Sequence, residues 1–136
     1  MSNIFEGKAV DLIRFANMPK CKNQYWQPST GSGCLFTALW TSMGFVPSHD
    51  QDGWAQFRYG DEIFSAQEMI DKFEDFVRIL LPKSCLLFTS RVIGDYDGNL
   101  EVEALNTLWE LIEVLPKTSY TTKEEVVANL PCMIGQ

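Results

Sequence analysis

The chain has 136 residues, a formal net charge of −7 and 46% hydrophobic against 21% charged residues, the balance of an ordinary folded domain. Nine phenylalanines and four tryptophans are too many for intrinsic disorder, and no stretch approaches the ~20 consecutive apolar residues that span a bilayer. Disordered, fibrous and membrane-spanning classes are thereby excluded, and one compact domain over residues 1–136, removing roughly two thirds of the unfolded chain's surface from water, is expected.

The first residues, Met1 to Glu6, carry no basic region followed by an apolar stretch, so a cytoplasmic location is expected. Cys21, Cys34, Cys85 and Cys132 are scattered, and no pair has the C-x-x-C spacing of a zinc or redox site. They read as reduced thiols in a reducing compartment.

Breakers divide the chain. Phe5, Ala9, Leu12, Ile13 and Ala16 recur at helical spacing over residues 4–17, with Asn3 and Glu6 placed as a capping box, which predicts a first helix ended by Pro19. Residues 20–33 hold Pro28 and the run Ser29 to Gly33 and read as a loop, with a short strand near Tyr25 and Trp26. From Cys34 to Met43 nearly every side is apolar, with Ser32 in front and Gly44 behind. A short, central, buried helix is expected there. Ala55, Phe57 and Tyr59 alternate with Gln56 and Arg58, and Gly60-Asp61 leads into Glu62-Ile63-Phe64, the pattern of a hairpin near residues 54–64 with a two-residue turn.

Ser65 and Glu68 form a second capping box, and Ala66, Met69, Ile70, Phe73, Val77 and Leu80 follow at three- and four-residue steps up to Pro82. That predicts an amphipathic helix. The apolar run Leu86 to Ile93 suits a buried strand, closed by the turn Gly94 to Asn99. Leu105, Leu108, Trp109, Ile112 and Leu115 mark a further helix ended by Pro116, and Thr122 to Glu125 opens a last short one. The sum is a helix-rich α+β domain with about five helices and a small antiparallel sheet.

Charge is unevenly placed. Residues 1–49 carry a net +2 and residues 114–136 a net of zero, whereas fourteen carboxylates between Asp50 and Glu113 meet five cations, a net of −9. Helices bury their apolar faces, so Asp71, Glu74 and Asp75, with Glu101, Glu103, Glu110 and Glu113, are expected to face water, joined by Asp95 and Asp97 in the turn between. Such a surface repels phosphate, which argues against direct nucleic-acid binding, and it attracts basic protein surfaces. The same acidic faces are also what keeps a small protein soluble.

Cys34 follows a Gly-Ser-Gly turn at the start of a predicted helix, where free N–H groups and the positive dipole end favour a thiolate. The segment Gly33-Cys34-Leu35-Phe36-Thr37-Ala38-Leu39 resembles the nucleophile segment of the ovarian-tumour-type cysteine deubiquitinases over about a dozen residues. That resemblance implies a thiol hydrolase with Cys34 as nucleophile and a histidine as base. Here Gly31, Ser32 and Gly33 stand where the family has an acidic residue, and the chain's one histidine, His49, is the candidate base. Residues 44–49 can run back about 20 Å when extended, enough to return along a helix about 15 Å long, and Asp50 could orient the imidazole. The plain alternative is a buried structural cysteine.

Asp95 to Glu103 resembles an EF-hand loop in its alternating oxygens, but Leu100 replaces the turn glycine and Asn106 the bidentate glutamate. No metal site and no cofactor is expected. Tyr25, Trp26 and Trp54 lie in or beside loops, where they suit either core ends or interface anchors. The expected function is a small acidic protein without catalysis that inhibits or regulates a larger basic, nucleic-acid-binding protein through its carboxylates. Size and charge of this kind suit phage or mobile-element inhibitors, including anti-CRISPR-type nucleic-acid mimics, and toxin-neutralising immunity proteins equally well. The competing expectation is the Cys34–His49 hydrolase.

Overall fold

A computed structural model describes residues 3–20, 25–29, 31–83 and 102–129. In chain order, β1 (Val10–Asp11) runs straight into α1 (Leu12–Asn17), and β2 (Trp26–Gln27) pairs antiparallel with β3 (Ser32–Gly33) just ahead of α2 (Leu35–Ser42). Next, β4 (Val46–His49), β5 (Ala55–Tyr59) and β6 (Glu62–Ser65) form an antiparallel meander that feeds α3 (Ala66–Leu80). Then come α4 (Val102–Val114), β7 (Lys117–Ser119) and α5 (Lys123–Asn129). Five described helices, a three-stranded antiparallel sheet, the two-stranded β2–β3 sheet and a parallel β1–β7 pair make this an α+β fold. No described helix is long and apolar enough to cross a membrane.

The third helix starts where its capping chemistry dictates. Ser65 Oγ accepts from the Glu68 N–H, and Glu68 Oε1 accepts from the Ser65 N–H, both at 3.1 Å, so two otherwise orphaned donors are satisfied together. Met69, Phe73, Phe76 and Val77 are its buried stripe. The hairpin is also as expected. Tyr59 faces Glu62 across the two-residue turn Gly60-Asp61, and Phe57 faces Phe64 on one side and Pro47 on the other. That row of three lays the sheet's inner face on the core.

The predicted helix over residues 4–17 is corrected to Leu12–Asn17. Asn3 and Glu6 do form a local turn, with the Glu6 N–H donating to the Asn3 carbonyl at 3.0 Å and the Phe5 N–H to Asn3 Oδ1 at 2.9 Å. Gly7 then takes φ +78, a left-handed step that ends any right-handed helix there. The chain next pairs with β7, and Asp11 becomes the N-cap, its Oδ1 accepting from the Arg14 N–H at 3.1 Å. Residues 46–49, within the stretch expected only to run back extended past the helix, are strand β4. Pro47 is tolerated there because β4 is an edge strand. The predicted strand over residues 86–93 and the turn at 94–99 lie outside the described residues.

Every residue of α2 is buried, and the core forms around it. Trp40 stacks on Phe36 with ring centroids 5.5 Å apart and meets Phe57 edge-on at 5.1 Å and Phe73 at 5.7 Å. Phe5, carried in by the Asn3–Glu6 turn, adds contacts to Phe45 and Phe73. Lys20 is also fully buried. Its Nζ donates to the carbonyls of Phe15 at 2.8 Å, Met18 at 3.0 Å and Ala16 at 3.4 Å, so an ammonium closes the C-terminal end of α1, where carbonyls lack helical partners and a positive charge suits the dipole.

Candidate functional site

On α3, burial of Met69, Phe73, Phe76 and Val77 turns Asp71 and Asp75 fully outward and leaves Glu74 half-buried at the edge of the solvent face. Asp75 pairs with Arg78 at 2.8 Å, an exposed contact worth little to stability but one that neutralises part of the row. Asp71 Oδ1 accepts from Gln67 Nε2 at 3.0 Å. On α4, Leu105, Leu108, Leu111 and Ile112 face the core, and Glu110 and Glu113 are exposed. Asp71, Glu74, Glu110 and Glu113 have no ion-pair partner among the described residues. Asp95, Asp97 and Glu101 lie outside the described residues. Glu103 falls in the first turn of α4, with its side chain outside the described part. Helices α3 and α4 pack against each other.

Cys34 is the N-cap residue of α2 and fully buried. Its Sγ lies 3.6 Å from Thr37 Oγ1, and its N–H donates to the Tyr25 carbonyl at 3.3 Å. His49 sits half-buried at the end of β4, its ring 5.3 Å from that of Trp26. Asp50 is occupied elsewhere: Oδ1 accepts from the N–H groups of Asp52 and Trp54, both at 2.9 Å. The glycine ahead of Cys34 has a packing reason. A Cβ on Gly33 would stand 2.7 Å from Thr37 Cγ2 and 2.8 Å from the Tyr25 carbonyl oxygen, so only glycine lets β2, β3 and α2 approach this closely.

Two clefts escaped sequence reasoning, because each is assembled from elements distant in the chain. One, of about 380 Å³, lies between α1, β2, α2 and β4 and is lined by Arg14, Asn17, Met18, Trp26, Thr41 and Pro47 among others. The other, of about 360 Å³, lies between the loop before β5 and the start of α3, with Tyr25, Asp50, Trp54 and Gln67 on its walls. The sole hint of the second in the sequence is the pair of loop aromatics, Tyr25 and Trp54. Compared with known protein families, characterised proteins and solved structures, the chain matches none.

Proposed function

We infer that this protein is a small acidic docking protein that engages a cationic surface of a larger protein through the carboxylates of α3 and α4, and that the partner is of the class whose basic surface otherwise meets phosphate. One observation supports this reading above others: Asp71, Glu74, Glu110 and Glu113 stand on two packed helices without an ion-pair partner among the described residues. Unneutralised like charges repel within the fold, and a cationic partner relieves that repulsion while steering encounter. Occupying a phosphate-binding surface would block it, which makes inhibition the natural consequence.

The experiment compares two variants of equal charge. In one, Asp71→Asn, Glu74→Gln, Glu110→Gln and Glu113→Gln are combined; in the other, the exposed carboxylates Glu6, Asp61, Glu62 and Glu124 are changed in the same way. Both carry four fewer negative charges than the parent's −7. Association with an arginine-rich peptide is followed by stopped flow across a salt series. The first variant is expected to associate about tenfold more slowly at low salt and to lose most of its salt dependence, and the second to stay close to the parent. Equal losses in both would mean that net charge alone acts, and the docking surface would be withdrawn.

A further inference from the structure

The cleft between the loop at residues 50–54 and the start of α3 combines features that point to one ligand chemistry. Trp54 is 72% exposed, which leaves a large ring at the surface available to a ligand in the cleft. Its mounting is nonetheless fixed. The Asp50 N–H donates to the Trp54 carbonyl at 2.9 Å, the Gly53 N–H to the Asp50 carbonyl at 3.1 Å, and the Trp54 N–H returns to Asp50 Oδ1. The loop is closed on itself, so the Asp50 carboxylate and the backbone that carries Trp54 are held in place before any ligand arrives. Both side-chain bonds of Asp50 fall on Oδ1, and Oδ2 has no partner among the described residues.

The cleft's charge follows from its surroundings. A helix start favours anions, but the Glu68 carboxylate already caps α3, and Asp50 adds a further negative charge on the cleft wall. A cation is therefore the ligand that fits. Among cations, a flat guanidinium can both stack on an aromatic side chain such as the exposed Trp54 and pair with a carboxylate, whereas an ammonium is a compact point charge and a quaternary ammonium has no N–H to donate. Gln67, on the cleft wall, donates to Asp71, the first carboxylate of the α3 row.

We propose that the Tyr25–Trp54–Asp50 cleft receives an arginine side chain of the cationic partner protein and anchors that interface. The proposal rests on the docking function inferred above and adds the residue type that the partner must present. An aromatic-walled pocket with one directed charge is the usual form of an interface hot spot.

The test uses the full chain and the indole N–H signal of Trp54 in a two-dimensional NMR spectrum, identified by its loss in Trp54→Phe. Acetyl-arginine amide is titrated beside acetyl-lysine amide, tetramethylammonium and acetyl-citrulline amide, the uncharged isostere of the arginine probe. The arginine probe is expected to give a saturable millimolar shift, with the lysine and tetramethylammonium probes about fivefold weaker or worse and the citrulline probe inert. Asp50→Asn keeps an acceptor for the two loop N–H groups and removes only the charge, so it should weaken the arginine probe about fivefold while the rest of the spectrum stays in place. Equal shifts from the citrulline probe, tighter binding of lysine or tetramethylammonium, no shift with arginine, or an Asp50→Asn protein that binds as the parent does would each overturn the proposal. A single-residue probe in the cleft does not span the α3 and α4 carboxylates. The fourfold variant at Asp71, Glu74, Glu110 and Glu113 therefore keeps the arginine response, and failure of the cleft is distinguishable from failure of the docking surface.

Discussion

Lys20 offers the sharpest test of how the polypeptide around the cleft is held in place. Its ammonium is fully buried and donates to three carbonyls at the end of α1, and its backbone bridges to Gly33, the residue that also pairs with Trp26. Lys20→Met keeps most of the stem and deletes the charge and its donors. Two effects then oppose each other: the carbonyls of Phe15 and Met18 lose the ammonium that donates to them at 2.8 and 3.0 Å, costing about 1–3 kcal/mol for a group left unpaired, while the desolvation cost of the ammonium disappears. With these two acceptors losing a charged donor, the loss should win by about 2–3 kcal/mol, a fall in Tm of roughly 6–10 °C for a chain of this size. Urea denaturation at pH 7 measures it, with the midpoint falling and the slope unchanged. Lys20→Ala, which also removes the packed stem, should lose a further ~1–2 kcal/mol. A Lys20→Met protein as stable as the parent, or more so, would refute the claim that this ammonium is a net stabilising cap.

Two further outcomes follow from the same region and from the β1–β7 pair. Gly33→Ala drives a methyl into the Tyr25 carbonyl and Thr37 and should destabilise by about 1–3 kcal/mol, read by thermal unfolding; tolerance of alanine there would remove the packing explanation for that glycine. The Ser119 hydroxyl donates to Asp11 Oδ1, which also accepts from the Arg14 N–H, and these bonds hold the Asp11 carboxyl below its usual range. A carboxylate whose pKa is lowered on folding contributes stability above its unfolded pKa, and that contribution is lost as pH falls through the folded value. Ser119→Ala should raise the Asp11 pKa in an NMR titration and cost stability at neutral pH, with the difference from the parent closing in acid.

How much of this was readable in the sequence depends on whether a feature is local. The α3 helix was, because Ser65, Glu68 and the spacing of Met69, Phe73 and Val77 all lie within one element and agree. So was the buried α2, whose apolar residues run all the way round. The helix over residues 4–17 was misread because its periodicity continues through Gly7, and the left-handed step there outweighs the pattern on either side. Strands β4 and β7 were missed for different reasons: β4 pairs with its sequence neighbour β5 but Pro47 masks its strand pattern, and β7 exists only by pairing with β1 from the other end of the chain.

The functional surface divides along the same line. Exposure of Asp71, Asp75, Glu110 and Glu113 follows from helical geometry once the apolar stripe is known, so sequence alone placed those carboxylates outward. Nothing in the chain's order could have placed Tyr25 and Trp54 on the walls of one cleft, because Tyr25 is positioned by the close approach of β2 to α2 that Gly33 allows. The glycine that resembles a catalytic turn is better explained by that close approach. Its absence of a side chain lets Tyr25 reach the wall of the cleft, and Asp50, adjacent to the candidate base His49, is the residue that makes the cleft anionic. The same short motif thus supports recognition of a cation through packing, with no requirement that Cys34 leave the core.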